Sequence, residues 1–323
     1  MARVPARARE TSPDSSSGSF SQCGLTRRQL LVGGGSLLGA VAVGGGLAAR
    51  FVSLGGIERR LIAFVDQFAE TPPRSDATVV YDVFASRFMG RVEFGIALPP
   101  GVRVGTRLPV CFCLPGRGGS ARSVFGMHMP DFVAQGIERR HVRPFALAAV
   151  GGGDLYWHRR ASGEDPMTML LEEFVPLCER RYRLGGHGAR RAIMGWSMGG
   201  YGAILAAERA PKIFCALSAA SPALWPSYEA MKQGPGDAFD SAADFAANDV
   251  FALAPRLMRT AVRIDCGTSD PFYQTDKAFF EHLTETLPHK PSGGFTHGAH
   301  ESGYWRRIAA QQVDFLGRAL AHR

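Results

Sequence analysis

From residue 50 onward the chain alternates between two hydrophobic periods. Short, nearly continuous apolar runs, of the kind that fill a strand covered on both faces, alternate with segments whose apolar positions recur every three or four residues. The strand-like runs are ATVVYDVFASRFMG, RVEFGIALPP, RLPVCFCLPG, RPFALAAVGGG, RRAIMG, KIFCALSAAS and TAVRIDCGTSD, with a weaker one near GGFTH. Helical spacing marks residues 122–140, DPMTMLLEEFVPLCERRY with its start at Asp165-Pro166, MGGYGAILAAERA, QTDKAFFEHLTETL and YWRRIAAQQVDFLGRAL. This alternation predicts an α/β domain over 77–323, built on a mostly parallel central sheet with helices on both faces. The first two strands turn about Gly90 and are expected as an antiparallel pair at the sheet edge. Residues 222–259 break the rhythm with Pro, Gly, Asp and Ala-rich pieces, which predicts a small insertion over the sheet rather than a second domain.

Composition changes this picture mainly at the N-terminus. The 323 residues are 46% hydrophobic, enough to fill a sizeable core, and carry a formal charge of +8. The first 49 residues hold five of the 37 basic and two of the 29 acidic residues, so the remainder is only +5. Its arginines come in scattered pairs such as Arg139-Arg140 and Arg180-Arg181, which read as solvated helix ends, and no nucleic-acid partner is expected. Thr26-Arg27-Arg28-Gln29-Leu30-Leu31 precedes a mildly apolar, glycine-diluted stretch and resembles the twin-arginine export signal. Residues 1–49 are therefore expected to be an export signal or a membrane anchor, since 30–49 is also about long enough to span a bilayer. Residues 50–76 are expected to be a linker and N-terminal helix. The protein is then extracellular, or anchored facing outside, in association with the membrane or cell envelope. Six cysteines form no framework: Cys111, Cys113 and Cys215 sit in apolar runs, where a thiol behaves as a small hydrophobe.

The candidate chemistry centres on Gly195-Trp196-Ser197-Met198-Gly199, a G-x-S-x-G placed between a buried strand and a small-residue helix. In such a turn the serine is held in a strained backbone and its Oγ projects above the strand end. A serine at its free pKa is a weak nucleophile and needs a base, itself oriented by a carboxylate. The carboxylate candidates are Asp270 and, at the end of the strand itself, Asp265; Asp270 is favoured because a turn at Gly267 can swing it over, leaving Asp265 to hold the loop through backbone N–H groups. His300 is the favoured base and His297 the alternative. Oxyanion donors are expected from the N–H of Met198 and from Arg117 or Gly118 in the loop Leu-Pro-Gly-Arg-Gly-Gly-Ser. No cofactor or metal is called for, because His297 and His300 lack helical zinc spacing and a third ligand. Trp157, Trp196 and Trp225 are candidates for substrate contact, with Tyr156, His158, Phe239, Phe245 and Phe251 as further aromatic lining or as plain core.

Together GWSMGGYGA, PGRGG, DCGTSDPF and GAHESGYW, in that fold context, resemble the putative-esterase family of α/β-hydrolases, which includes esterase D (S-formylglutathione hydrolase), feruloyl esterases and secreted mycolyltransferases. The likeness spans about 77–321. It implies the α/β-hydrolase fold, Ser197, Asp270 and His300 as the triad, and hydrolysis of a carboxylic ester of a small molecule or lipid. Transfer of the acyl group to a sugar hydroxyl, as in the mycolyltransferases, is the alternative, and a non-catalytic binding protein on the same scaffold is the rival class. Where many relatives have His-Gly, this chain has Pro115-Gly116.

Overall fold

The structure is a computed structural model in which residues 71–186, 190–234 and 236–321 are described. The expected export segment at 1–49 and residues 50–70 of the expected linker and N-terminal helix (50–76) lie outside the described residues, and 71–76 form no helix. Among the described residues no helix is long and apolar enough to cross a membrane.

Eight strands form a single sheet: β1 (Thr78–Ser86), β2 (Gly90–Leu98), β3 (Val110–Leu114), β4 (Ala146–Val150), β5 (Arg191–Trp196), β6 (Ala216–Ala220), β7 (Ala261–Gly267) and β8 (Ser292–Thr296). Their order is β1-β2-β4-β3-β5-β6-β7-β8. β1 and β2 pair antiparallel as a hairpin closed at Ser86 and Gly90, and β2 runs antiparallel to β4. The other pairs are parallel. The fold is thus the mostly parallel α/β-hydrolase type.

Alternation along each buried strand divides the core in two. Val110, Phe112, Leu114 and Ile193 face one apolar layer; Cys111, Cys113, Ala192, Met194 and Trp196 face the other. The five described cysteines are free thiols, and four of them are fully buried. The first layer packs under α3, a helical run of Pro166–Thr168, π-helical Met169–Phe174 and Val175–Tyr182, and under α4 (Met198–Arg209) and α8 (Tyr273–Thr286). The second is covered by α1 (Ala121–Gly126), α2 (Met129–Glu138) and α9 (Ser302–Ala321). The start of α3 is fixed as its sequence implies: Asp165 Oδ1 accepts from the Thr168 N–H at 2.9 Å, and Pro166 occupies the first turn. The helix expected over 122–140 is in fact two, because His128 adopts φ 66° between them. There its Nδ1 lies 3.0 Å from buried Asp131, a local interaction that outweighs the continuous helical pattern.

Residues 222–259 supply the connection from β6 to β7, with short helices α5 (Tyr228–Gln233), α6 (Ala242–Ala247) and α7 (Val250–Leu253). Phe239 is buried and meets Tyr156, Tyr201, His158 and Phe245; Phe251 stacks edge-on with Phe279. Phe239 is core, whereas Phe245 and Phe251 are half-buried and line a surface cavity with Trp225.

The sheet also places the functional end. The chain leaves β3 toward β4 on one side and then crosses β3 to form β5 on the other. The crevice at the carboxyl ends of β3 and β5 is therefore the topological switch point, where open α/β sheets bind ligands.

One buried carboxyl in this scaffold makes a testable prediction. Glu208, near the end of α4, is fully buried, and neither carboxylate oxygen has a hydrogen-bond partner among the described residues. Burial, reinforced by Asp249 and only partly opposed by Arg256 and Arg209, holds its carboxyl well above the usual carboxylate range. The folded state therefore keeps a proton that the unfolded chain releases, so wild-type stability declines as pH rises above the ordinary glutamate range. Glu208→Gln does not ionise, so it is expected to melt close to wild type near pH 4 and several degrees higher at pH 8. A melting difference that is flat or reversed with pH would reject the neutral carboxyl.

Candidate active site

Ser197 follows β5 directly and forms the N-cap of α4 at φ 54°, ψ −125°, a backbone region that costs a non-glycine residue energy. The turn is held from three sides. The Ser197 N–H donates to the Ala220 carbonyl at 3.1 Å, and the Ser197 carbonyl accepts from the N–H groups of Ala223 at 3.0 Å and Tyr201 at 3.1 Å. Two glycines make the bend sterically feasible. A Cβ at Gly195 would run into the carbonyl of Gly199, and one at Gly199 would run into the carbonyls of Leu114 and Pro115.

β7 ends at Gly267, and its loop places Asp270 with its side chain out of solvent. β8 ends at Thr296 and leads to His300 just before α9. Backbone bonds zip these two loops together: Thr268 N–H to Thr296 O and Ser269 N–H to Gly298 O, both at 2.8 Å. Close approach is needed here too, since a Cβ at Gly267 would strike the Gly298 carbonyl.

The three side chains meet in a line. His300 Nε2 lies 2.8 Å from Ser197 Oγ, and His300 Nδ1 lies 2.9 Å from Asp270 Oδ2. The other Asp270 oxygen accepts from the Phe272 N–H at 2.9 Å. An ionised carboxylate can only accept, which assigns the ring proton to Nδ1 as the donor of the hydrogen bond to Asp270. Nε2 is left as the acceptor for the serine hydroxyl. Phe272 and Trp305 flank the imidazole, each with its ring centroid 5.3 Å away. Behind Asp270 lies Asp276, a second, fully buried carboxyl that burial pushes well up toward the neutral acid.

The alternatives fall elsewhere. Asp265 is buried in a bidentate pair with Arg263, both contacts at 2.7 Å, so its carboxylate is held chiefly by a guanidinium rather than by the loop's N–H groups. His297 is exposed, and its carbonyl accepts from Arg307. Among the described residues no group of three or more His, Cys, Asp or Glu is placed to hold a metal ion.

The glycine loop after β3 sits against the serine: a Cβ at Gly116 would come within 3.4 Å of Ser197 Cβ. Gly119 N–H closes a turn onto Gly116 O at 2.9 Å, with Gly118 at φ 66°. The backbone N–H groups of Arg117 and Gly118 at the tip of this turn, and of Met198 at the first position of α4, donate to no protein acceptor among the described residues. The Arg117 side chain turns away to a bidentate pair with Asp237, at 3.0 and 2.5 Å, tying the loop to the 222–259 connection.

The tryptophans divide. Trp157 is fully buried against Gly202 and Gly152, and Trp196 is buried in the second core layer, so neither offers a face to substrate. His158 is likewise buried, with Nε2 2.9 Å from the Ala238 carbonyl. Trp225 is half-buried and meets Phe272 edge-on at 5.0 Å, which places it one ring from His300. Sequence reading assigned nothing to Phe272, Trp305 or Ser221. The first two lie inside quoted motifs, two residues after Asp270 and five after His300, and that spacing was the available signal.

With the geometry in place, comparison with known proteins decides the family. The family model described as "Putative esterase" matches residues 85–307. The chain belongs to this putative esterase family. It is accordingly an esterase-type hydrolase acting on carboxylic esters. Solved structures share its fold. A ferulic acid esterase is 20% identical, covers 77% of this chain and 100% of its own, and gives a TM-score of 0.66. The fluorophosphonate-binding serine hydrolase F of Staphylococcus aureus is 18% identical over 74% of this chain and 98% of its own, with a TM-score of 0.58. An S-formylglutathione hydrolase of the same organism is 16% identical over 75% and 99%, with a TM-score of 0.60. No curated protein sequence matches the chain.

Proposed function

We propose that the protein is a serine carboxylic-ester hydrolase that works through an acyl-serine intermediate, with Ser197 as nucleophile, His300 as base and Asp270 as the orienting acid. The observation that carries this reading is the hydrogen-bonded line Ser197 Oγ, His300 Nε2, His300 Nδ1, Asp270 Oδ2 at 2.8 and 2.9 Å, on a strained serine at the sheet's switch point. Ser197 Oγ attacks the ester carbonyl carbon as its proton passes to His300 Nε2. The resulting oxyanion is met by the free N–H of Met198 and by that of Arg117 or Gly118. Collapse breaks the carbon–oxygen bond to the alcohol, which leaves with the proton from Nε2. Water then gives its proton to Nε2 and attacks the acyl-serine; the second tetrahedral species releases the carboxylic acid and returns Ser197.

The half-buried ring of Trp225 and that of Phe272 beside His300 favour an ester with an apolar aryl or alkyl group on that side. The paired arginines Arg27-Arg28 ahead of a mildly apolar stretch support export, so the proposed substrate is a small-molecule or lipid ester met outside the cytoplasm. A fluorophosphonate probe tests the chemistry. On folded protein it is expected to leave a single covalent adduct on Ser197, found by peptide mass spectrometry. No adduct, or an adduct on another residue, would reject the nucleophile and favour a binding protein.

A further inference from the structure

We propose that Trp305, anchored through its indole N–H to Ser221, is a positioning residue that sets the plane of the His300 imidazole. The inference rests on His300 being the base of the reading above. Rotation of an imidazole about its Cβ–Cγ bond is soft, with broad wells rather than sharp ones. The bond to Asp270 pins Nδ1 but leaves the ring free to tilt about that contact. Nε2 must nevertheless face the serine hydroxyl before attack and the leaving oxygen after it. The ring is held against tilting by its aromatic neighbours, and of the two flanking rings Trp305 carries a hydrogen bond of its own side chain. Its plane stands at 86° to the imidazole, an edge-to-face arrangement with a directional preference.

The anchor is unusual in its own right. Trp305 Nε1 donates to Ser221 Oγ at 3.1 Å across 84 residues of sequence. Ser221 is fully buried at the end of β6 and has φ 45°, in the left-handed region that favours glycine. Its N–H donates to the Asp265 carbonyl at 2.7 Å, which fixes the backbone of the bend. Glycine would fit this bend with less strain, and what serine adds there is the hydroxyl that accepts from Trp305. A second contact docks the same helix on the same strand: Gln312 Nε2 donates to Ser218 Oγ at 2.9 Å. Together the two bonds give α9, and with it Trp305, one seating on β6 just after the His300 loop.

The test compares wild type, Ser221→Gly, Trp305→Phe and the double variant, using p-nitrophenyl acetate turnover, fluorophosphonate labelling rate and thermal melting. Ser221→Gly removes the hydroxyl but relieves the strained φ, so it separates positioning from stability. Expected is a fall in kcat of about tenfold in each single variant, KM within about twofold, and a parallel fall in labelling rate. The melting temperature of Ser221→Gly is expected at or above that of wild type. The double variant should be no slower than the slower single one, because both changes break the same link. Wild-type kcat in either single variant would overturn the proposal, as would effects that multiply in the double variant, or losses that follow melting temperature. Those outcomes leave Ser197 and His300 in place; failure of the wild-type enzyme itself to label would instead overturn the reading beneath it.

Discussion

Ser197→Ala is expected to lower ester turnover by about 10⁴-fold or more and to abolish fluorophosphonate labelling, with a melting temperature at or slightly below that of wild type. The chemical loss follows from the geometry, because with Oγ gone no other hydroxyl among the described residues is hydrogen-bonded to His300 Nε2. Residual activity would come from the free N–H groups of the glycine loop and α4, which still polarise a bound carbonyl toward water. Stability should change little. Alanine at φ 54° is as strained as serine, and the backbone bonds to Ala220, Ala223 and Tyr201 do not involve the side chain. Turnover within about tenfold of wild type would remove Ser197 from the mechanism.

Much of this site could be read in the sequence because its signals are local. A lone serine between Gly195 and Gly199, after an apolar run and before a small-residue helix, shows its tight bend within five residues, although the Leu114 and Pro115 carbonyls that Gly199 must clear come from β3 and its loop. The strand-helix alternation fixes which end of the sheet it occupies. Choosing Asp270 over Asp265 was also a local argument from the turn at Gly267. The bonds that hold the choice, Thr268 to Thr296 and Ser269 to Gly298, join separate loops and have no sequence signature. The tryptophans show where local reading ends. Trp157 and Trp225 both look like cleft-lining aromatics in Gly- and Pro-rich surroundings. What separates them is that Gly202, on α4, leaves the space that the Trp157 indole fills. His128 breaks a regular helical period by taking a left-handed backbone that only its neighbours in space explain. Ser221 and Trp305 are ordinary letters until the fold brings them together.

Asp270→Asn is expected to cost about 10⁴-fold in turnover at neutral pH while leaving the fold intact, a loss of the same order as that for Ser197→Ala. The reason is a proton placed on the wrong nitrogen. Asp270 Oδ1 accepts from the Phe272 N–H, and Oδ2 accepts from His300 Nδ1. An asparagine here must turn its single carbonyl oxygen toward the Phe272 donor, since two N–H groups cannot face each other. Its amide NH2 then points at Nδ1, which can satisfy it only as an acceptor. The ring proton moves to Nε2, where it faces Ser197 Oγ and blocks proton uptake. His300→Ala removes the base altogether and should fall at least as far. His297→Ala should stay within about twofold of wild type, since that side chain is exposed and outside the hydrogen-bonded line. Steady-state rates on one ester across the three variants check the ordering. Equal rates for His297→Ala and His300→Ala, or near-wild-type activity in Asp270→Asn, would show that the aligned side chains are not the ones moving the proton.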